Sequence, residues 1–365
     1  MRIVVVNVGS SNVKLSHLDG DDLVAGDNLA IRAGELDEEA IGKAIAAYGQ
    51  VDAVGHRIVH GGAEFIQPVL VDASVRRRLD ALVDLAPLHL PKSLAGLDLT
   101  NRLLPGVPCV ACFDTAFHAN IPPAASTYAL PAEWRRRWPL RRFGFHGLSH
   151  AWASNRAAEL IGQPMVALRI VTCHLGAGAS LAAVSSGVSV DTTMGFTPLE
   201  GLVMATRSGS VDPGLLLWLE QHAGLPAAEL ASTLENHSGL LGLSGSADMR
   251  QVLEAEASGH EEAALAVSVY LHRLRAGIAA MATAMDGLDV LVFTGGVGEH
   301  SPSIRLRAAA GLGFLGVGVD EEENATVRAD AEVTAADVPV RALVIEARED
   351  LQIARELAAL LGAQH

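Results

Sequence analysis

No stretch of this chain reaches the roughly 18 to 20 consecutive apolar residues that a membrane helix needs, so a spanning helix is not expected. Aromatic residues make up only 4% of the 365 positions, which argues against recognition of nucleic acid by base stacking. Positive charge is short as well: 27 Lys and Arg stand against 42 Asp and Glu, a formal net charge of −15. A long basic grip on nucleic acid or anionic lipid is disfavoured on that balance. Any anionic ligand has to be held by a few local cations and by backbone amides. Three cysteines do not make a disulfide framework, which points to a reducing, cytoplasmic setting. Cys109 and Cys112 do form a C-x-x-C, but Val107–Phe113 reads as a buried strand and no second pair completes a zinc site. The opening Met1-Arg2 runs straight into Ile3-Val4-Val5-Val6, a strand pattern too short for a signal peptide.

Half of the residues are apolar, enough for a sizeable core. Strand-like and helix-like runs alternate along the chain, which argues for an α/β fold. Ile3–Val8 and Val13–Leu18 flank the turn Gly9-Ser10-Ser11-Asn12 as a hairpin. Helical patterns follow at Glu38–Tyr48, Ser74–Leu85 and Ser93–Leu103, the last two opened by serines able to cap them. The same grammar recurs later. The strand-like Arg169–Cys173 leads into the small-residue turn His174–Ser180 and a second apolar run to Val184. A long helix over Glu261–Met285, a strand at Val290–Phe293, a helix from Ser301, a strand at Val340–Ile345 and a helix at Asp350–Leu361 complete the pattern. Two related α/β halves, each opened by a glycine-containing hairpin, are therefore expected.

Several residues in this frame carry chemistry. Glycine lets a phosphate approach the backbone and its N–H groups closely. Asn7–Ser11, His174–Gly178 and Gly295-Gly296-Val297-Gly298 all have that character, though none is a Walker A loop or a dinucleotide fingerprint. Arg57 and Arg207 are framed by glycine, histidine and serine, and an arginine fork suits carboxylate or phosphate. Asp114 ends an apolar strand, where α/β folds place site residues. His146 and His150 have i, i+4 spacing without the glutamate of a zinc-protease helix, so metal binding there is disfavoured. Lys14 reads either as a solvated lysine or as a phosphate contact. Glu349 reads either as a helix-terminal acid or as a magnesium ligand. The cluster Trp134–Trp138 with Arg141 and Arg142 reads as a solvated basic face rather than a nucleic-acid patch.

The motifs N-V-G-S-S-N-V-K from Asn7, G-H-R-I-V-H-G-G from Gly55, A-P-L-H from Ala86, F-D-T-A-F-H from Phe113 and F-G-F-H-G-L-S-H from Phe143 resemble those of the acetate and propionate kinases. So do C-H-L-G-A-G from Cys173, M-G-F-T-P-L-E-G-L from Met194, T-R-S-G-S-V-D-P from Thr206 and F-T-G-G-V-G-E from Phe293. That family lies within the actin-like, sugar-kinase-like ATPase superfamily. The resemblance implies duplicated actin-like (ribonuclease H-like) domains, residues 1–116 with 350–365 and residues 117–349, and a nucleotide in an interdomain cleft. It implies reversible, in-line transfer of the γ-phosphoryl of ATP to acetate, with Mg²⁺ or Mn²⁺. By resemblance Arg57, Arg207, His146 and Asp114 are catalytic, and Asn7 and Glu349 position the metal. Lys14 and His174, Leu175, Gly176, Ala177 and Gly178 lie along the phosphates. Asp248, Met249, Arg250 and Gly296, Val297, Gly298, Glu299 and His300 flank the nucleotide. Val59, Leu88, Phe145 and Pro198, with Arg57, form the acetate pocket. A cytoplasmic homodimer with no nucleic-acid or membrane partner is implied too. The chain departs from the family pattern at Asn12, Ala177, His300 and Arg348: Ala177 lacks a side-chain hydrogen-bond partner, and Arg348 sets a cation beside the metal position. The alternatives are a kinase of a longer acid, propionate or butyrate, and a non-catalytic nucleotide-binding relative.

Overall fold

A computed structural model describes residues 1–9, 12–31, 35–87, 89–328 and 330–363. The chain divides into two compact units, the first holding 1–119, 145–152 and 348–365, the second 120–144 and 153–347.

The first unit is built on a six-stranded mixed sheet. Its strands are β1 (Arg2–Val8), β2 (Asn12–Asp19), β3 (Asp22–Ala30), β4 (Ala53–Ile58), β5 (Val69–Leu70) and β6 (Cys109–Phe113), in the order β3-β2-β1-β4-β6-β5. β1, β4 and β6 run parallel, and β2, β3 and β5 are antiparallel to their neighbours. β1 is apolar at consecutive positions because helices cover both of its faces. Val4, Val6 and Val8 pack with Ile41 and Ile45 of helix Glu38–Tyr48. β4 passes beneath the final helix, Glu349–Gly362, at Gly55, where a Cβ would lie 2.5 Å from Ile353.

The second unit repeats the plan. Its strands are β7 (Arg169–Leu175), β8 (Ala179–Ser185), β9 (Val188–Thr192), β10 (Val290–Thr294), β11 (Ala331–Glu332) and β12 (Arg341–Val344), ordered β11-β12-β10-β7-β8-β9. Read from the other edge, every strand matches its counterpart in position and direction: β7, β10 and β12 are parallel and the other three antiparallel. Helix Glu261–Thr283 buries Ala263, Val267, Leu271, Leu274, Ile278 and Met281, an i, i+3, i+4 stripe.

Local chemistry moves several expected boundaries. The helix expected at Ser74 runs Ala73–Asp80 and is capped by the Asp72 side chain, which accepts from Val75 N–H at 2.7 Å. The helix expected at Ser93 starts at Leu90, one residue before Pro91, and has no side-chain cap. The glycine run between β10 and the helix expected from Ser301 is itself a short helix, Gly295–His300, followed by helix Pro302–Ala310. Cys109, Cys112 and Cys173 are buried free thiols.

Candidate active site

The parallel strands of the first unit deliver three side chains to one end of the sheet, where α/β folds place ligands. Asn7 sits near the end of β1, Arg57 near the end of β4, and Asp114 immediately after β6. Val6 pairs with His56 and Arg57 with Cys112, so the three come from adjacent rungs. Arg57 Nη2 donates to Asp114 Oδ2 at 2.6 Å, and its Nε lies 3.1 and 3.2 Å from the two carboxylate oxygens. Arg57 Nη1 donates to Asn7 Oδ1 at 3.1 Å. Asn7 Nδ2 donates in turn to Glu349 Oε2 at 3.0 Å, across 342 positions of sequence. Glu349 is the first residue of the last helix, where a carboxylate is favoured by the helix dipole. The result is one chain of bonds, Asp114–Arg57–Asn7–Glu349.

Burial sets the electrostatics of this chain. Asp114 is fully buried; desolvation pushes its pKa up to about 6, against the lowering influence of Arg57. Burial also opposes the charge on Arg57, but the carboxylates of Asp114 and Glu349 outweigh it and raise its pKa. The guanidinium is therefore a permanent cation, held in one orientation and 15% exposed at the side chain.

His146 stands beside this network in an unusual backbone state. Its φ is +56°, a left-handed conformation that is rare for a histidine and that gathers at functional sites. Gly147 N–H donates to the Asp114 carbonyl at 2.9 Å. A Cβ at Gly147 would lie 2.2 Å from that oxygen, so only glycine allows the approach. Phe145 is buried; its carbonyl is 3.1 Å from His118 Nε2, and its ring meets His60 edge-on at 5.4 Å. Burial lowers the pKa values of His60 and His118 to about 4, so both are neutral packing groups. Val59 is buried at the end of β4, and Lys14 is exposed on β2 opposite Asn7. Leu88 lies outside the described residues.

The second unit presents backbone rather than charge at the matching strand ends. Gly176 N–H donates to Gly178 O at 3.0 Å in the β7–β8 turn, and Ala205 N–H reaches the Ala177 carbonyl at 3.1 Å. Gly295 has φ +78° and lies against the Leu175 backbone, where a Cβ would be 3.0 Å from the carbonyl oxygen. Glu299 turns inward: one carboxylate oxygen accepts from Gly295 N–H at 2.8 Å and from Ala347 N–H at 3.0 Å. Asp248 caps helix Met249–Ala257 and forks to the exposed Arg250, while Met249 is buried. Arg207 pairs with Glu235 at 2.8 Å, and its Nη1 lies 3.3 Å from the Pro198 carbonyl.

Two contributors escaped the sequence reading. Glu235 orients Arg207 but sits in an unremarkable helical run, Ala227–Asn236. Arg305 is fully buried, donating to the carbonyls of Gly298, Glu299 and Asn324 and to Asn324 Oδ1 at 2.7–2.9 Å. An arginine between the core positions Ile304 and Ala308 of its helix was the available signal.

A family model described as the acetokinase family matches residues 25–355. This chain belongs to the acetokinase family. An acetate kinase of Synechococcus sp. (strain JA-2-3B'a(2-13)) is 49% identical over 324 residues, covering 88% of this chain and 80% of the relative. The crystal structure of Porphyromonas gingivalis acetate kinase matches with a TM-score of 0.90 at 36% identity, over 99% of both chains. A propionate kinase from Francisella tularensis subsp. tularensis SCHU S4 matches with a TM-score of 0.90 at 32% identity, over 97% of this chain and 98% of that one.

Two departures from the acetokinase pattern acquire a structural meaning. The extra cation Arg348 is neutralised where it stands, by a two-pronged pair with Asp350 at 2.9 and 3.0 Å. His300 folds back onto its own helix, with Nδ1 3.1 Å from the Gly296 carbonyl. The basic cluster also divides. Trp134 and Trp138 are exposed, whereas Arg142 is a structural tie to Glu200 and to the carbonyls of Thr193 and Met194.

Proposed function

We propose that this acetokinase transfers the γ-phosphoryl group of ATP to acetate, giving ADP and acetyl phosphate, and runs the reverse reaction through the same groups. The observation that supports it most is the Asp114–Arg57–Asn7–Glu349 chain. It fixes one guanidinium at a strand end, against a buried Asp114 and the half-buried Asn7 and Glu349.

A carboxylate oxygen of acetate attacks Pγ, the bond from Pγ to the bridging oxygen breaks, and ADP leaves with that electron pair. Acetate is already ionised at neutral pH, so the step needs no base. Such a transition state spreads charge over the equatorial oxygens, and catalysis rests on positioning and electrostatics. Arg57 binds the carboxylate and the transferring phosphoryl, and Arg207 contributes the second guanidinium. His146 donates to the phosphoryl oxygens. Asp114 is an orienter of Arg57 rather than a proton acceptor. Val59, Leu88, Phe145 and Pro198 receive the methyl group. Lys14, His174–Gly178, Asp248–Arg250 and Gly296–His300 hold the nucleotide, Glu299 by bracing its own turn.

Among the described residues no group of three His, Cys, Asp or Glu gathers as a metal cage. Glu349 offers a carboxylate oxygen and Asn7 an amide oxygen that also accepts from Arg57, a sparse, hard donor set that suits Mg²⁺ held largely through substrate phosphates and water. When bound there, Mg²⁺ supplies charge neutralisation to the phosphates. We assign the chain to the cytoplasm as a homodimer. Helix Pro213–His222, which buries none of its residues and exposes Leu215, Leu217 and Trp218, supports that assembly.

The test is kcat/KM for acetate and propionate with MgATP. Acetate should lead by about tenfold or more, the order of discrimination one methylene allows. A preference for propionate would move the assignment to the longer acid, and nucleotide binding without transfer in either direction would remove it.

A further inference from the structure

We propose that the second unit carries a binding site for a small organic dianion, in a groove apart from every residue assigned to phosphoryl transfer. The groove is open to solvent and holds about 550 Å³, within the range of small-molecule sites. Ser268, His272 and Arg275 of helix Glu261–Thr283 form one wall, with Arg307, Leu312 and Phe314 opposite. Two arginines and a histidine line it, and among the described residues no carboxylate does, in a chain where acids outnumber bases 42 to 27.

The two arginines differ in what they already hold. Arg307 forks onto Glu256 at 2.7 and 3.0 Å. Among the described residues Arg275 makes one bond, from Nη2 to the Arg307 carbonyl. Its Nε is buried with no acceptor among the described residues. Gly311 is what admits this guanidinium, since a Cβ there would lie 2.5 Å from Nε. Arg275 is half-buried, and a guanidinium with an uncommitted donor beside a groove gains from an anion that completes it. The apolar part of the groove, Leu271, Leu312 and the 75% exposed Phe314, suits an alkyl or aryl body behind the anionic head. A phosphate monoester or a dicarboxylate with such a body combines both features.

The groove also touches the nucleotide elements. Arg307 lies in helix Pro302–Ala310, directly after Gly295–His300, and Glu256 lies in helix Met249–Ala257, which Asp248 heads. An anion bridging Arg275 and Arg307 competes with Glu256 and loosens the tie between those helices. Coupling to ATP follows if these segments flank the nucleotide as proposed above; binding to the groove does not depend on it.

The experiment is calorimetric titration of the full chain with phenyl phosphate, with inorganic phosphate as comparator. The expected result is one site per chain that prefers phenyl phosphate at least threefold. Arg275→Gln and, at an exposed position, Ser268→Glu should each weaken it tenfold or more. Ser268→Glu removes no packing, so it keeps the test sound if Arg275→Gln folds poorly. Arg57→Ala should leave the affinity within twofold. Binding that ignores both groove substitutions, that vanishes with Arg57→Ala, or that is equal for the two probes would overturn the proposal. Saturating MgATP should shift the affinity at least threefold; an unshifted value overturns the coupling alone, and loss of transferase activity with groove binding intact would overturn the reaction assignment instead.

Discussion

The six strands of the first unit and the six of the second follow one order and one set of directions, yet their parallel strand ends carry different chemistry. In the first unit the ends of β1, β4 and β6 supply side chains: Asn7, Arg57 and Asp114, joined to Glu349. In the second, the end of β7 supplies a glycine turn and the end of β10 a glycine-rich helix start that Glu299 and Arg305 brace. A duplicated scaffold therefore offers a fixed cation in one copy and glycine-rich backbone in the other. A carboxylate acceptor calls for the first, and a polyphosphate for the second.

The sharpest way to break this contrast is to remove the fixed cation. Arg57→Ala should lower kcat/KM roughly 10³-fold or more, the scale of an arginine that meets transition-state charge. Steady-state assay checks this, and a loss under tenfold would take Arg57 out of the reaction. Next comes its orienter. Asp114→Asn keeps the shape but frees Arg57, and kcat should fall roughly 10²-fold. The pH profile adds a second reading. Desolvation raises the Asp114 pKa to about 6, so acidification through pH 6 protonates it and weakens its hold on Arg57. Wild-type activity should decline on that acid limb, and Asp114→Asn should lack it.

The second unit should respond differently. Arg305→Met strands the carbonyls of Gly298, Glu299 and Asn324, at a cost of about 3 kcal/mol in unfolding free energy. KM for MgATP should rise while KM for acetate stays put, which denaturant melts and two-substrate kinetics resolve. The smallest effect belongs to Ala177→Asn, which on the proposed reading returns a side-chain hydrogen bond beside the phosphates at the β7–β8 turn. KM for MgATP should drop by up to about tenfold, the worth of one such bond. An unchanged KM would place Ala177 outside the nucleotide's reach.

Local pattern in the sequence carried much of the fold. Helix Glu38–Tyr48 is found where its helical pattern places it. Both hairpins and the apolar strands β6, β7, β10 and β12 lie within a few residues of expectation. Short or exposed strands were not legible. β5 and β11 have two residues each, and β3 is largely exposed and lacks an alternating pattern. The meeting of Asn7, Arg57, Asp114 and Glu349 was read from motif resemblance, because no local rule links positions 342 apart. What motifs could not reveal is the material behind them: the Glu235 brace on Arg207, the Arg305 cradle and the Asp350 counter-charge on Arg348. Each depends on tertiary neighbours rather than on spacing.

The division of labour is tested most directly by one paired measurement on Arg57→Ala: kcat/KM for acetate, and the MgATP dissociation constant by calorimetry. A fall of roughly 10³-fold in the first, with the second within threefold of wild type, is the predicted result. Lost MgATP affinity with acetate turnover intact would contradict it.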